Sequence, residues 1–424
     1  MSQFFLESLP IGRFCFSWGD RKMRRMVWIL AVLLLASPAW AARKLTVQQL
    51  QDLLVSAQQS RKTDEDTASQ LKQFELSEEL TRTAMNKIVA LAPGKFSIEQ
   101  IYALQALSAM LPPPASDLPA TTAPDAAAQK ALIEKAVDFT TTSNAQLPPL
   151  TATKTTLRFQ DNIERAEACS GVVGCGKDAS ISSGLSNTIS FIHFINTTET
   201  QVASEHGREI APVTKDKTPW GANRMIAVQE PDPSLGAILQ DAQSTQSIQW
   251  LRWEMVNGRQ TSVYTFKIPA NDSGYLADIC CFPTRTQIGK ATFYNSTDAS
   301  TFAGSDAAPG GASGVFGDFQ TSTSFDRHFK AHVPCHGEIF VDPATGIVVR
   351  LILQAEFKAS DEVQQEDWRI DYAPVMVGGK AMVLPARSFL NTTVVPNGNT
   401  GAGKFSLRRT LFTAEYKDYR PTAR

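Results

Sequence analysis

The sequence predicts an α+β protein in which a helical N-terminal segment is followed by a curved, half-barrel-like antiparallel β domain. Apolar residues recur at helical spacing up to about residue 145 and alternate with polar residues from about residue 150 onward. Hairpin signals then succeed one another, without the regular alternation of strands and helices that is typical of a parallel sheet. These observations favour a helical layer followed by a meandering sheet.

Residues 1–41 have the features of an export signal. A basic pair that begins at Arg24 precedes an apolar run, and Ala39 and Ala41 occupy the small-residue positions of a signal-peptidase site. The apolar run is shorter than the roughly 20 residues of a membrane-spanning helix. Met23 directly precedes the basic pair and is the favoured translation start, with a signal that has a long region before its apolar run as the alternative. We therefore expect cleavage near Ala41, a mature chain without a transmembrane span, and a periplasmic or secreted location.

Residues 42–145 are predicted to form several short helices. Residues 111–124, "LPPPASDLPATTAP", form a proline-rich connector that cannot be helical throughout, and a last helix is predicted to begin at Asp125. Three pairs have the spacing of a capping box or a close variant and mark helix starts: Thr46 with Gln49, Thr63 with Asp66, and Ser97 with Gln100.

Residues 150–424 are predicted to form the antiparallel β domain. Asn257-Gly258 is a strong hairpin signal, because a type I′ turn requires positive φ at both central residues. "VDPATGIV" and "VGGKAM" indicate two further turns, the first with Gly346 in the left-handed position. Residues 295–324, rich in glycine, serine, alanine and threonine, are predicted to be a flexible insertion in the sheet.

The charge balance excludes one class of partner. The chain has 41 basic and 42 acidic residues, so it offers no electrostatic basis for binding nucleic acid. The sequence also lacks the G-x-S-x-G, H-E-x-x-H, Walker and G-x-G-x-x-G motifs, and no catalytic residue or cofactor is predicted.

Cysteines are interpreted as disulfide candidates, because an exported chain meets an oxidising compartment. Cys169 and Cys175 lie close together across a glycine-rich loop. Cys280 and Cys281 are adjacent, and either is a candidate partner for Cys335. At least one disulfide is expected.

Three histidines and a cysteine resemble a metal site at first sight: His328, His332, Cys335 and His336. Imidazole and thiolate are preferred zinc ligands. However, the surrounding residues alternate as in a strand, which places His328 and His332 about 13 Å apart at roughly 3.3 Å per residue. One ion cannot bridge that distance, so no metal is predicted and the histidines are assigned to the strand surface.

Large apolar side chains lie on both sides of the hairpin around Asn257-Gly258, and both faces of its strands must therefore be covered. One face can be covered by the helical segment. The other face must meet a second layer of the protein, a partner or an apolar ligand. Four residues are the candidates for a ligand-binding face: Trp250, Trp253, Tyr264 and Phe266.

Three long stretches carry a resemblance to known proteins: "LGAILQDAQSTQSIQWLRWEMVNGRQTSVYTFKIP", "HGEIFVDPATGIVVRL" and "DYAPVMVGGKAMVLPARS". Together with "QKALIEKAVDF" in the helical segment, they are similar to a family of uncharacterised exported acidobacterial proteins. The β half also distantly resembles the LolA-type lipoprotein-carrier fold, in which a curved antiparallel sheet holds acyl chains. The second resemblance implies an apolar ligand, and neither implies particular functional residues.

Two classes of function remain. The first is a non-enzymatic cell-envelope protein that binds an apolar ligand, such as a lipid or a lipoprotein acyl chain, or an envelope protein partner. The second is a hydrolase or metal-dependent enzyme whose site is assembled from scattered residues. The missing motifs favour the first class. A deep apolar concavity would support it, whereas convergent titratable groups in a cleft would support the second.

Overall fold

The structure, a computed structural model, describes residues 43–161, 192–210, 228–229, 232–288, 320–395 and 408–422. The predicted α+β class is confirmed, since helices pack on an open, curved antiparallel sheet. The described residues from Arg43 onward belong to one compact unit. The helical and β parts of the sequence therefore share an interface.

The first helices form the N-terminal helical layer. Its elements are β1 (Arg43–Leu45), α1 (Val47–Gln59), α2 (Asp64–Leu71), β2 (Phe74–Leu76), α3 (Arg82–Val89) and α4 (Lys95–Ser108). β1 and β2 form a short parallel pair. Leu50, Leu54, Leu71 and Leu104 are fully buried in the core of this layer. Each such leucine stabilises the fold by about 1.5–3 kcal/mol relative to an exposed one.

Two of the three predicted helix starts are confirmed. Thr46 forms a complete capping box with Gln49, and the Thr63 side chain accepts a hydrogen bond from the backbone N–H of Asp66. The predicted start at Ser97 is wrong, because α4 already begins at Lys95 and Ser97 lies in its first turn. The cap of α4 comes from another helix, so the local sequence could not reveal it.

Asp64 of α2 caps the N-terminus of α4. Its carboxylate accepts hydrogen bonds from the backbone N–H groups of Phe96, at 2.8 Å, and Ser97, at 2.9 Å, and from the Ser97 hydroxyl. Burial alone would raise the pKa of Asp64, but these hydrogen bonds hold it below its usual range. Gly94 permits the approach, since a Cβ there would lie 2.6 Å from Asp64 Oδ2.

A 21-residue helix, α5 (Ala126–Gln146), follows the connector, in which a 3₁₀ turn spans Ala115–Asp117. The strands that follow are β3 (Leu150–Asp161), β4 (Ile192–Glu205), β5 (Arg208–Ile210), β6 (Val228–Gln229), β7 (Gln249–Val256), β8 (Arg259–Ile268), β9 (Leu276–Ile288), β10 (Gln320–His332), β11 (Cys335–Val341), β12 (Val348–Ala355), β13 (Val363–Val377), β14 (Lys380–Val394) and β15 (Arg408–Pro421). α6 (Leu235–Ser244) lies between β6 and β7 and was not predicted from the sequence.

The strands form two antiparallel sheets. The ten-stranded sheet has the order β5-β4-β3-β15-β14-β13-β12-β11-β8-β7, so β7 lies at one edge. The smaller sheet has the order β10-β9-β6. β10 pairs with β9 from Gln320 onward, and the last residues of the predicted insertion 295–324 are therefore part of a strand. Residues 295–319 lie outside the described part of the chain.

The three predicted turns are confirmed. Asn257 and Gly258 both have positive φ, at 50° and 77°, as a type I′ turn requires. Gly346 has a φ of 80°, and the Asp342 carboxylate accepts a hydrogen bond from the backbone N–H of Ala344. Gly378 also has positive φ at the tip of the β13–β14 hairpin. These turns set the register of the strands that they join.

Helices cover both faces of the large sheet. On one face, α5 and α6 pack against a cluster that contains Tyr264, Leu351 and Trp368. On the other face, small residues of α4 pack against Phe159 and Phe389. On the β7–β8 hairpin, the face that carries Tyr264 and Phe266 is covered by α5 and α6; covering of its other face stays a prediction. None of the described helices has the length and apolar content needed to cross a membrane.

Replacement of Asp64 by alanine should destabilise the protein by about 1–2 kcal/mol, because two backbone N–H groups of α4 lose their acceptor. The free energy of unfolding from urea titration measures the effect. Glu65→Ala is the matched control, because Glu65 is the exposed neighbour in the same helical turn. Equal stabilities of the two variants would contradict the capping role.

Candidate functional site

A cleft of about 700 Å³ opens between the N-terminal helical layer and the tip of the β7–β8 hairpin. Four segments line it: residues 47–51 of α1, residues 78–87 from the end of β2 into α3, residues 114–117 of the connector, and residues 255–258 at the hairpin tip. Arg350 of β12 forms part of the floor. This cleft is the candidate functional site.

Hydrogen bonds between distant segments fix the walls of the cleft. Glu78 accepts a hydrogen bond from the backbone N–H of Val47 at 2.8 Å, which ties the segment before α3 to the start of α1. The backbone N–H of Glu79 donates to the carbonyl of Pro112 at 2.8 Å and thereby holds the connector. The backbone N–H of Leu80 donates to the Ser108 hydroxyl at the end of α4. Both flanks of Glu79 are thus anchored.

Glu79 reaches from the helical layer to two arginines of the sheet. Its Oε1 lies 2.5 Å from Arg369 Nη1 and its Oε2 lies 3.4 Å from Arg350 Nη1. Asp371 pairs with both arginines, at 2.7 Å from Arg350 Nε and 3.1 Å from Arg369 Nη2. Arg369 also donates to the backbone carbonyl of Ala109, at the C-terminal end of α4. The floor of the cleft is therefore a buried ion-pair network.

Burial disfavours the ionised forms of these side chains, whereas ion pairing favours them. Burial would raise the pKa of Asp371, but Arg350 and Arg369 hold it well below the usual range. Burial would likewise lower the pKa of Arg369, but Asp371 and Glu79 raise it above that of a free guanidinium. Ion pairing therefore offsets the cost of burying these charges and keeps the Asp371 carboxyl ionised.

The network continues toward the sheet edge. Glu254 Oε1 lies 3.8 Å from Arg350 Nη1, and Glu254 Oε2 lies 2.5 Å from Arg252 Nη2. Arg252 makes a bidentate pair with Glu338, with both distances 2.9 Å. Arg350 is also stacked on the ring of Phe340, with 5.2 Å between Cζ and the ring centroid. Three arginines and four carboxylates thus pair with one another in this network: Arg252, Arg350 and Arg369 with Glu79, Glu254, Glu338 and Asp371.

Two cations that line the cleft lie outside this ion-pair network. Arg82 and Lys87 of α3 are exposed and line the cleft wall. Within the described part of the chain, neither takes part in an ion pair. The carboxylate of Asp117, across the cleft in the connector, accepts a hydrogen bond from Ser116. Outside the buried network, the charged residues that line the cleft are therefore the cations Arg82 and Lys87 and the carboxylates Glu78 and Asp117, each of which accepts a hydrogen bond.

A second buried charge cluster lies toward the opposite edge of the sheet. Lys154 Nζ is 3.0 Å from Glu209 Oε1 and 3.2 Å from Asp232 Oδ1. The Tyr416 hydroxyl lies 2.9 Å from Glu209 and 2.7 Å from Asp232. Burial, opposed by Lys154 and reinforced by Asp232, raises the pKa of Glu209 to about 7. This cluster holds the β4–β5 hairpin and the segment before α6 against the sheet.

The four predicted ligand-face residues are used in packing. Tyr264 and Phe266 are buried beneath α5 and α6, and the Tyr264 hydroxyl donates to the carbonyl of Gln129. Trp250 donates to the Ser262 hydroxyl and makes an edge-to-face contact with Trp253, with the ring centroids 6.2 Å apart. Trp253 donates to the backbone carbonyl of Thr122 in the connector. All four are separate from the residues that line the cleft.

The space left between α5 and the sheet is small. A void beside Tyr372 and Leu384 measures about 20 Å³, which is enough for about one water molecule. An acyl chain requires far more room than this. This face of the sheet is instead filled by the protein's own side chains.

The histidines of the predicted strand contact separate carboxylates. His328 Nδ1 lies 2.9 Å from Asp278, and His336 Nδ1 lies 3.0 Å from Glu356. His332 is exposed at the end of β10. No cluster of three or more histidine, cysteine, aspartate or glutamate side chains with the arrangement of metal ligands occurs among the described residues.

The predicted pairing of Cys335 with Cys280 or Cys281 is wrong, since Cys335 is a free, buried thiol. Its sulfur lies against the Ser273 hydroxyl at 4.0 Å, and burial raises the pKa of the thiol to about 12. Core packing on β11 therefore holds Cys335 in its protonated form. Cys280 is disulfide-bonded. Cys169 and Cys175 lie outside the described residues.

Sequence reasoning missed the residues of the buried network. Their signal was a charged residue inside an otherwise apolar strand, as for Arg350 in "GIVVRLIL" and for Arg369 and Asp371 in "DWRIDY". Such a residue must find a buried partner, but the sequence does not say which one. No family model, curated protein or solved structure matches this chain, so the chemistry of the cleft is inferred from its own geometry.

Replacement of Glu79 by glutamine should destabilise the protein by about 3 kcal/mol, because two buried arginines lose a charged partner. Urea titration at neutral pH measures the change. Glu65→Gln is the control, since Glu65 is exposed on α2. A loss below about 1 kcal/mol would show that the Glu79 ion pairs do not hold the layers together.

The buried carboxyl group of Glu366 predicts that the stability of the protein depends on pH. Burial raises the pKa of Glu366 from 4.5 to about 8, even though the group accepts a hydrogen bond from Trp368 Nε1 at 3.2 Å. Between these two values the folded state holds a proton that the unfolded state has released. The contribution of Glu366 to stability is therefore complete below the unfolded pKa and is lost as pH rises through 8.

Glu366→Gln should remove this loss, because the amide stays neutral at every pH. The fall in unfolding free energy between pH 5 and pH 9 should shrink by more than about 1 kcal/mol relative to wild type. Thermal and urea unfolding across this pH range measure it, with Glu65→Gln as the control. Parallel pH profiles for wild type and Glu366→Gln would contradict the assignment.

Proposed function

We propose that this chain is an exported, non-enzymatic binding protein of the cell envelope whose cleft holds an acidic segment of a partner protein. The leader-like pattern of residues 1–41 supports export. The observation that carries the binding proposal is the pair of exposed cations on the cleft wall, Arg82 and Lys87, neither of which has an ion-pair partner among the residues that the structure describes, whereas the lining carboxylates Glu78 and Asp117 each accept a hydrogen bond.

The chemistry of the cleft fits a polypeptide. Gln48 and Gln51 present amide groups that pair with main-chain N–H and C=O groups. Val47, Ala84 and Met255 add apolar surface between these polar groups. An acidic polypeptide segment supplies amides for the glutamines and carboxylates for Arg82 and Lys87. These groups favour a protein partner for the cleft, and the void beside Tyr372 and Leu384 has no room for an acyl chain.

The contacts at the floor support a non-enzymatic role. A hydrolase would need a free base or nucleophile in the cleft. Glu79 reaches the floor but is paired with two arginines, and Glu254 is paired with Arg252. The Cys335 thiol is buried and protonated at neutral pH. In these paired or protonated states the groups stabilise the fold and do not act as a free base or nucleophile.

Selection of a random peptide display library on the purified mature chain tests the proposal. We expect acidic peptides to be enriched. Arg82→Glu combined with Lys87→Glu should weaken the selected peptides about tenfold, because two favourable charge contacts become repulsive. Fluorescence anisotropy of a labelled selected peptide measures the dissociation constant.

The control carries the same change of charge away from the cleft, as Lys130→Glu combined with Lys417→Glu, since both lysines are exposed. This control should bind the peptide like the wild type. Failure to enrich any peptide, or equal binding by the two double variants, would refute the proposal.

A further inference from the structure

The edge strand β5 has few main-chain contacts with the rest of the large sheet. It is three residues long and, within the described part of the chain, pairs only with β4, over three pairs of residues. His206 and Gly207 form the turn between the two strands and both have positive φ, at 49° and 74°, as a type I′ turn requires. A hairpin this short is not stable by itself, so the position of β5 depends on side chains that attach it to the sheet.

Glu209 of β5 makes this attachment through two donors, Lys154 and Tyr416, which it shares with Asp232. The Lys154 ammonium and the Tyr416 hydroxyl each lie within 3.2 Å of both carboxyl groups. The hydroxyl oxygen is 2.9 Å from Glu209 and 2.7 Å from Asp232, yet a phenol has one proton and donates to one acceptor. The second short contact between oxygens needs a proton of its own. One of the two carboxyl groups therefore supplies it in the protonated form, and we call these four residues the clasp.

Two further phenols lie near the clasp, Tyr372 of β13 and Tyr419 of β15. Burial and then the negative charge of Asp232 raise the pKa of each well above its usual range, so both stay neutral. The void beside the β4–β5 turn is lined from α5 and α6 by Thr140 and Leu235, which carry no charge. Within the clasp, one ammonium thus faces two carboxyl groups. These groups are neutral together when one carboxyl is protonated, and they have one net negative charge when both are ionised.

We propose that the clasp makes the β4–β5 hairpin a pH-dependent element: a proton shared by Glu209 and Asp232 holds β5 on the sheet in acid, and the loss of that proton releases β5 above neutral pH. Burial and the charge of Asp232 raise the pKa of Glu209 from 4.5 to about 7, against the attraction of Lys154. Between these values the clasped hairpin holds a proton that a released, hydrated hairpin has lost. The clasped form is therefore fully favoured below the lower value, and its advantage is lost as pH rises through 7. The clasp residues are separate from those that line the cleft, so this inference does not rest on the proposed function.

Amide hydrogen exchange of the purified protein between pH 5 and pH 8 tests the clasp. Mass spectrometry of peptides that cover residues 203–210 gives protection factors, which correct the exchange rates for their intrinsic dependence on pH. We expect the protection of β5 to fall by about tenfold or more over this range, because the ratio of released to clasped hairpin rises with the ionisation of Glu209. A peptide that covers residues 335–355, in the interior strands β11 and β12, is the reference that reports a change in global stability.

Two variants identify the shared proton. Glu209→Gln stays neutral at every pH, so the protection of β5 should change by less than about twofold between pH 5 and pH 8. Asp232→Asn leaves Lys154 and Tyr416 to Glu209 alone and removes the like charge, which lets the Glu209 carboxylate ionise in place. At pH 8, β5 should then be about fivefold or more better protected than in the wild type. A carboxyl group whose proton is retained by burial alone would not respond to Asp232→Asn.

The control variants change the same hairpin outside the clasp. Glu205→Gln replaces the exposed glutamate beside the turn, and His206→Asn removes the exposed imidazole but keeps a residue that tolerates positive φ. Both should keep the pH dependence of the wild-type protection. Equal pH profiles for β5 and the reference peptide in wild-type protein would overturn the inference without reliance on the folding of any variant. A pH dependence that Glu209→Gln or Asp232→Asn leaves unchanged, or that His206→Asn abolishes, would overturn it as well.

Discussion

Glu79 makes the contact on which the arrangement of the two halves depends. It leaves the helical layer between β2 and α3 and pairs with Arg369 and Arg350 of the large sheet. Arg369 also binds the backbone carbonyl at the end of α4, so one guanidinium joins the sheet to two parts of the helical layer. Buried ion pairs of this kind add little net stability compared with an apolar contact, but they tolerate few alternative geometries. Glu79 therefore sets where the helical layer sits, and with it the shape of the cleft.

The cleft exists because the Glu79 contacts and α4 join only part of the helical layer to the sheet. α4 packs closely on the sheet through alanines and aromatic rings, whereas α1 and α3 stand beside the hairpin tip without covering it. The remaining gap is bounded by residues of four segments: α1, the stretch from Glu78 into α3, the connector and the tip of the β7–β8 hairpin. In the proposed function, Arg82 and Lys87 on the wall of this gap are the cations that meet the acidic partner.

Much of the fold could be predicted from the sequence, because its signals are local. The alternation of apolar residues identified the strands, and Asn257-Gly258 and Gly346 identified turns that the structure confirms. Thr46 and Thr63 marked helix starts for the same reason, since a cap and its acceptor lie within one turn. The helix start predicted at Ser97 is wrong, because the cap of α4 is Asp64, which is remote in sequence. α6 was missed because "LGAILQDAQS" precedes strand residues without a proline or glycine boundary after it.

The sequence by itself determined the fold class and the turns. Only the tertiary structure decided which helices cover the large sheet, namely α5 and α6 on one face and α4 on the other. It also decided that Trp250, Trp253, Tyr264 and Phe266 pack within the protein and that Cys335 is a free thiol. The physical reason is that a residue's chemical type limits what it can pair with, whereas its partner is chosen by long-range packing. Glu79 and Arg369 are 290 residues apart, and no local pattern relates them.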